Sequence, residues 1–369
     1  MISIDRYRFG VNYTPSQKWW YCWNDFSRDE IARDLDTIAE LHADHIRIMA
    51  MWTYFQPNPS WVSPAHLEHL RTLMELAAER KLDVCVSLFI GHLTGQHYHQ
   101  GYEFNADFFT DENMLSAQKL FIEKMSAVLN PFDNFLGFDV GNEMNCCWKT
   151  PRLETGDAWN ARIISLMDRL SPGKIHVNGV DHAPWFHPAT FSPRALTSSQ
   201  VIVPIHSWIR FTGALQRSGG DPLGELCLGL IPAMTALVRA YARNPRKPVW
   251  VQEFGASEEW MSAEIIPEFL ERSILNAIAG GTAWFTCWAS HDIDRKFKVN
   301  PLEYSLGLID IDQNIKPQGQ VFSRLAAEYC GKEVRIPDCR FPDQEPAGAD
   351  DALTWEWLSG WLESNRALF

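Results

Sequence analysis

No stretch of the 369-residue chain approaches the roughly 18–20 consecutive apolar residues that cross a bilayer, so an integral membrane protein is not expected. Cysteine is sparse, with eight residues and no C-x-x-C pair. That leaves no disulfide scaffold and disfavours zinc ribbons and thioredoxin-like redox sites. H-E-x-x-H, G-x-G-x-x-G and G-x-x-x-x-G-K-[ST] are all missing, which weakens metalloprotease, dinucleotide-binding and phosphate-loop readings. Basic residues are outnumbered 33 to 46, for a formal net charge of −13. Such a surface repels phosphate backbones, so neither nucleic acid nor an anionic membrane is an expected partner. The N-terminal residues contain no apolar signal core. With Cys85 and Cys287 read as reduced core thiols, and Cys146 and Cys147 as free thiols, the expected compartment is the cytoplasm.

Tryptophan is abundant: 16 residues, within 12 % aromatics overall. Indoles fill cores and also stack on the apolar faces of sugar rings; composition alone favours the core. Hydrophobic residues make up 46 % of the chain and charged residues 21 %, a globular balance. Short apolar runs alternate with helix-period segments about eight times. The runs are 9–13, 44–49, 82–89, 135–140, 174–178, 201–206, 248–253 and 282–288. Helical spacing is read at 29–41, 64–80, 111–129, 157–170, 224–243, 263–278 and 318–329, with little helix in the Pro-rich stretch between runs five and six. Strands apolar on both faces and separated by helices imply a parallel sheet covered by helices. Eight units over 1–330 fit an α/β fold of the (βα)8 TIM-barrel type. Long segments follow strands one, three, six and eight, at the C-terminal face where barrels carry their chemistry. Beyond them, 331–369 reads as a linker (Pro342, Asp343, Pro346, Gly348, Asp350 and Asp351) and a Trp-rich extension. Trp355, Trp357 and Trp361 are expected to cover barrel surface or an oligomer contact.

Run four leads into Asn142-Glu143, and run seven ends in Glu253. Two acids ending apolar strands on one barrel face are expensive to bury unpaired, and more naturally line a polar cleft. One protonated and one ionised carboxyl can cleave a glycosidic bond. The alternative is two glutamates in rim salt bridges.

On these residues the chain resembles the large clan of retaining (βα)8 glycoside hydrolases, with an acid/base on strand four and a nucleophile on strand seven. Within it, the chain is most similar to family 5, the group of cellulases, mannanases and β-mannosidases. The resemblance implies Glu143 as acid/base, Glu253 as nucleophile and Asn142 as the partner of the sugar 2-hydroxyl. It further implies Arg47 supporting the nucleophile, His206 and His92 in the site, and Trp288 stacking on sugar. The family's His-x-Tyr becomes His206-Ser207-Trp208 here, and indole donates but does not accept; Tyr304 is a candidate replacement. Asp292 reads equally as a sugar-hydroxyl partner or a solvated loop charge. His92, His97 and His99 are expected to hydrogen-bond rather than hold a metal, and no cofactor is implied.

Double displacement requires carboxyl groups about 5–5.5 Å apart. Long loops, with Trp19, Trp20, Trp23, Trp52, Trp61 and Trp185 in or beside them as stacking candidates, favour a pocket. The resemblance therefore leads to an exo-acting β-mannosidase on short oligosaccharides, including a β-mannosyl-N-acetylglucosamine unit. Endo-β-1,4-mannanase or β-glucanase, and an inactive carbohydrate-binding barrel, stand as alternatives. An aldolase or isomerase of phosphorylated substrates fits less well, because Gly280-Gly281 precedes strand eight instead of following it.

Overall fold

A computed structural model describes residues 2–342, 346 and 350–369; Asp343 and Gly348, read as linker, lie outside them. Eight strands run in parallel: β1 (Arg8–Asn12), β2 (His45–Met49), β3 (Asp83–Ser87), β4 (Phe135–Asn142), β5 (Val177–Gly179), β6 (Val203–His206), β7 (Val249–Glu253) and β8 (Trp284–Cys287). Their order is β5-β4-β3-β2-β1-β8-β7-β6, and β5 packs beside β6 to give a nearly closed barrel. Nearly every strand residue is buried, which is why the runs show no polar alternation.

Outside the sheet lie α1 (Arg28–Glu40), α2 (Pro64–Glu79), α3 (Glu112–Leu129), α4 (Leu153–Leu170), α5 (Pro193–Ser199), α6 (Leu230–Ala242), α7 (Ile266–Ala279) and α8 (Pro317–Tyr329). Helix starts follow local chemistry. Ser27, Ser63 and Asp111 each accept a first-turn N–H at the starts of α1, α2 and α3. The stretch expected to hold little helix contains α5, because Pro193 sits in the first turn and Ser192 caps it. The single helix expected at 224–243 is broken at Gly229. A Cβ there would meet Leu362 Cδ2 at 2.5 Å, so bare backbone lets a later helix press in.

That later helix is α9 (Asp351–Ser364), which packs on α6 and buries Trp355, Trp357 and Trp361. Fifteen of the tryptophans are buried and Trp61 is half exposed. Inside the barrel base, Trp250 Nε1 donates to Thr286 Oγ1 at 2.7 Å, and His45 Nε2 lies 2.7 Å from the same oxygen. Ile2, Ile4 and Val334 pack against this lower cluster. The base is thus packed solid, and the polar residues collect at the other end.

Candidate active site

At the C-terminal ends of the strands, Arg47 on β2 is fully buried and acts as a hub. Its Nη2 donates to Asp139 Oδ2 at 2.6 Å and to Asn142 Oδ1 at 2.8 Å. Its Nη1 donates to Asn12 Oδ1 at 2.9 Å and to Glu253 Oε1 at 2.8 Å. Asp139 also accepts from Ser87 Oγ at 2.6 Å and from Gly179 N at 2.8 Å. Gly179 leaves room for this crowding, since a Cβ there would meet Gln252 Oε1 at 2.4 Å. Four strands are locked by one guanidinium whose planar fork satisfies several acceptors at once.

Glu253, at the end of β7, takes a second donor from Trp208 Nε1 at 3.4 Å. Glu143 follows β4 with φ 43°, a left-handed backbone that costs a non-glycine residue about 1–3 kcal/mol. Strain of this kind persists where a side chain must be aimed. His206 on β6 joins the two acids, its Nδ1 lying 2.8 Å from Glu143 Oε1 and 3.4 Å from Glu253 Oε2. Donor atoms of Glu143, His206 and Glu253 all fall within 4.8 Å of one another. The two acids thus face each other across one short gap, an arrangement that suits direct attack.

Burial pushes the Glu143 carboxyl up to about 8, helped by the Asp181 charge and opposed by Arg47. Burial also raises Glu253, with the neighbouring Glu143 charge adding to the rise and the Arg47 guanidinium opposing it. Both acids are therefore raised by burial, and the Arg47 guanidinium bonded to Glu253 Oε1 is the contact that favours the ionised form of Glu253. His206 is kept neutral by its own burial. A tautomer with hydrogen on Nε2 donates to Gln252 Oε1, 3.2 Å away, and leaves Nδ1 to accept the Glu143 proton.

Above the pair opens a cavity of about 340 Å³, lined by Asn142, Glu143, Trp208, Glu253 and Trp288 among others. Other walls come from His92, Thr94 and Gly95 after β3, Asp181 and His182 after β5, and Asn300, Leu302, Glu303 and Leu306 after β8. Asn142 Nδ2 donates to the His92 carbonyl at 3.0 Å while its Oδ1 holds Arg47, which leaves one amide hydrogen for a ligand. His92 Nε2 lies 3.8 Å from Glu143 Oε2, and burial holds its imidazole down at about 4, hence neutral.

Eight of the ten residues expected at the site are thus gathered together, and two are not. Asp292 is clamped by Lys316 Nζ at 2.8 and 2.9 Å and by Gly307 N at 2.8 Å. It is neither a solvated charge nor a wall of the cavity. The Tyr304 hydroxyl donates to the Phe297 carbonyl at 2.8 Å, so it does not replace the family tyrosine; Trp208 stands there itself. The proposed stacking residues Trp19, Trp20, Trp23, Trp52 and Trp185 are buried packing, and Trp61 lies outside the cavity wall. The sequence reading passed over Asn12, Asp139, Asp181, Gln252 and Glu303. An acid inside the apolar run Phe138-Asp139-Val140 was the one available signal.

Among the described residues, potential metal donors cluster in three places: His97, His99 and Cys147; His92, Glu143 and Cys146; and the Glu143–His206–Glu253 set. His99 Nδ1 is engaged by Glu103 Oε1 at 3.1 Å. Hydrolysis by an acid and a nucleophile calls on none of these for an ion.

No curated protein matches this sequence. A GH5_18 protein from Streptomyces cattleya, crystallised with GlcNAc, superposes with TM-score 0.90 at 31 % identity, covering 99 % of this chain and 93 % of its own. A GH5_18 protein from Bifidobacterium longum subsp. infantis gives 0.82 at 31 % identity over 89 % and 80 % of the two chains. An exo-beta-1,4-mannosidase from Opitutaceae bacterium strain TAV5 shares the fold at TM-score 0.77 and 22 % identity, over 89 % of this chain and 62 % of its own. The family model "Cellulase (glycosyl hydrolase family 5)" matches residues 4–265. The chain is a glycoside hydrolase and belongs to glycosyl hydrolase family 5.

Proposed function

We propose that this glycosidase is an exo-acting, retaining β-mannosidase that removes one terminal sugar from short β-mannosides. The observation that carries the reading is the Glu143–Glu253 pair, with carboxylate oxygens within 4.8 Å of each other beneath a small cavity. At about 340 Å³ the cavity is near the lower end of ligand pockets, about 300–1,000 Å³, in keeping with one or two sugars rather than a polymer groove. Mannose enters through the relatives: glutamate-to-alanine variants of the Streptomyces cattleya and Bifidobacterium longum subsp. longum GH5_18 proteins were crystallised with Manβ1-4GlcNAc.

Glu253 attacks the anomeric carbon as Glu143 protonates the departing glycosidic oxygen, forming a glycosyl ester and breaking the C–O bond. Glu143, now ionised, takes a proton from water, which attacks the same carbon and frees Glu253. Asn142 spends its spare amide hydrogen on the sugar 2-hydroxyl, and Trp288 provides the stacking face. Trp208 and Arg47 hold the attacking carboxylate. With all eight thiols unpaired, we place this reaction in a reducing cytoplasm, acting on imported saccharides.

The test is time-resolved NMR of Manβ1-4GlcNAc and a panel of aryl β-glycosides. Release of β-mannose first, with the β-mannoside cleaved best, supports the reading. An α-anomer as first product removes the double displacement. Faster cleavage of β-glucosides removes mannose, and mixed oligomers from mannan make the enzyme endo-acting.

A further inference from the structure

Besides Glu143, Glu253 and Asp181, the cavity is lined by a fourth carboxyl, which this chemistry leaves idle. Glu303 sits in the short 3₁₀ turn Pro301–Ser305 after β8, is only 8 % exposed, and shares its wall with Glu143, Glu253 and Trp288. The Trp288 side chain hydrogen-bonds its carboxyl, yet Oε2 has no partner among the described residues. A buried polar atom left unmade costs about 1–3 kcal/mol, so native proteins rarely keep one without a use. No lysine or arginine lines the cavity, and the nearby Lys316 is already held by Asp292. An ion pair within the protein therefore does not account for it. The cavity that its side chain lines together with Glu143 and Glu253 can supply such a partner from a bound ligand.

We propose that Glu303 is a specificity-determining residue whose carboxyl hydrogen-bonds a hydroxyl of the terminal sugar stacked on Trp288. The inference rests on Glu143 and Glu253 being the reacting pair, but not on the sugar being mannose. Burial pushes the Glu303 carboxyl up to about 8, with Trp288 opposing and the charges of Glu253 and Glu143 adding to it. A protonated carboxyl both donates and accepts, which suits a hydroxyl. Being neutral, it also adds no negative charge beside Glu253, whose ionised form must attack. A sugar lacking the matching hydroxyl leaves this acid unpaired in a dry site and is rejected for that reason.

The experiment measures kcat/KM for the wild type, Glu303→Ala and Glu303→Gln on the aryl β-glycoside cleaved best and on its monodeoxy analogues. Alanine is expected to lose about 10- to 100-fold on the parent substrate, the range for a hydrogen bond to such a group. On one deoxy analogue, already slow with wild type, it should lose almost nothing further. Glutamine should keep most of the activity and leave Tm unchanged or raised, since a buried acid is gone. Equal losses on the parent and every deoxy analogue overturn the proposal, because a residue that merely holds its turn in place does not sense a remote hydroxyl. Should the alanine variant fold poorly, the glutamine variant across the same analogues reads the same coupling. Failure of the reacting pair shows separately, as turnover surviving Glu253→Ala.

Discussion

Arg47 Nη1 and Glu253 Oε1 stand 2.8 Å apart with both side chains almost wholly withdrawn from water. Removing one member of a buried pair strands the other, at about 3–5 kcal/mol. Arg47→Met should therefore lower stability by about that amount, read as a shift of the urea midpoint. It should also abolish turnover, because Asp139 and Asn142 lose the same donor. Arg47→Lys keeps the charge but not the fork, so it should unfold later than the methionine variant while still losing most of kcat.

Glu143→Gln separates proton donation from attack. General acid assistance is worth about 10²- to 10⁴-fold. The variant should lose that much on Manβ1-4GlcNAc, whose leaving oxygen needs a proton. It should lose far less in the first step with a dinitrophenyl glycoside, whose leaving group needs none. A burst of dinitrophenol followed by slow turnover is the expected trace. Equal loss on both substrates would falsify the acid role.

The carboxyl of Glu143 ordinarily titrates near 4.5 and is pushed to about 8 in the fold. Below about pH 4.5 both folded and unfolded chains hold this proton, and its contribution to stability is fully present. As pH rises, the unfolded chain releases the proton first, so stability falls until the folded group also ionises near 8. Thermal unfolding of the wild type against Glu143→Gln should show a gap that moves in favour of glutamine between pH 5 and 9. In activity the same group should give an alkaline limb near 8 on kcat/KM.

Gly229→Ala tests the docking of the last helix. The new Cβ would meet Leu362 Cδ2 at 2.5 Å and the Glu225 carbonyl at 2.8 Å. Overpacking of this kind costs about 1–3 kcal/mol. Adding Leu362→Ala should recover part of the loss, a coupling that a double-mutant cycle on Tm measures.

Much of this was legible beforehand, for identifiable reasons. Barrel strands such as Val249–Glu253 are apolar on both faces, and their acids stand out at the ends. The strand expected at 174–178 is Val177–Gly179. The Pro-rich stretch expected to hold little helix contains α5, which Pro193 begins. Asp292 and Tyr304 were misjudged because their partners, Lys316 and the Phe297 carbonyl, follow from how one loop folds back. Glu303 carried no local signal at all: its isolation from water is made by the fold, and no neighbouring letter encodes it.

The Trp355 indole of α9 donates to the Thr212 carbonyl at 3.1 Å, and Thr212 Oγ1 donates to the Trp208 carbonyl at 2.7 Å. Trp208 in turn reaches Glu253. The outermost helix thus tethers one jamb of the doorway to the attacking acid. Slack introduced at Trp355 should be felt as looser grip on the saccharide well before the barrel itself melts.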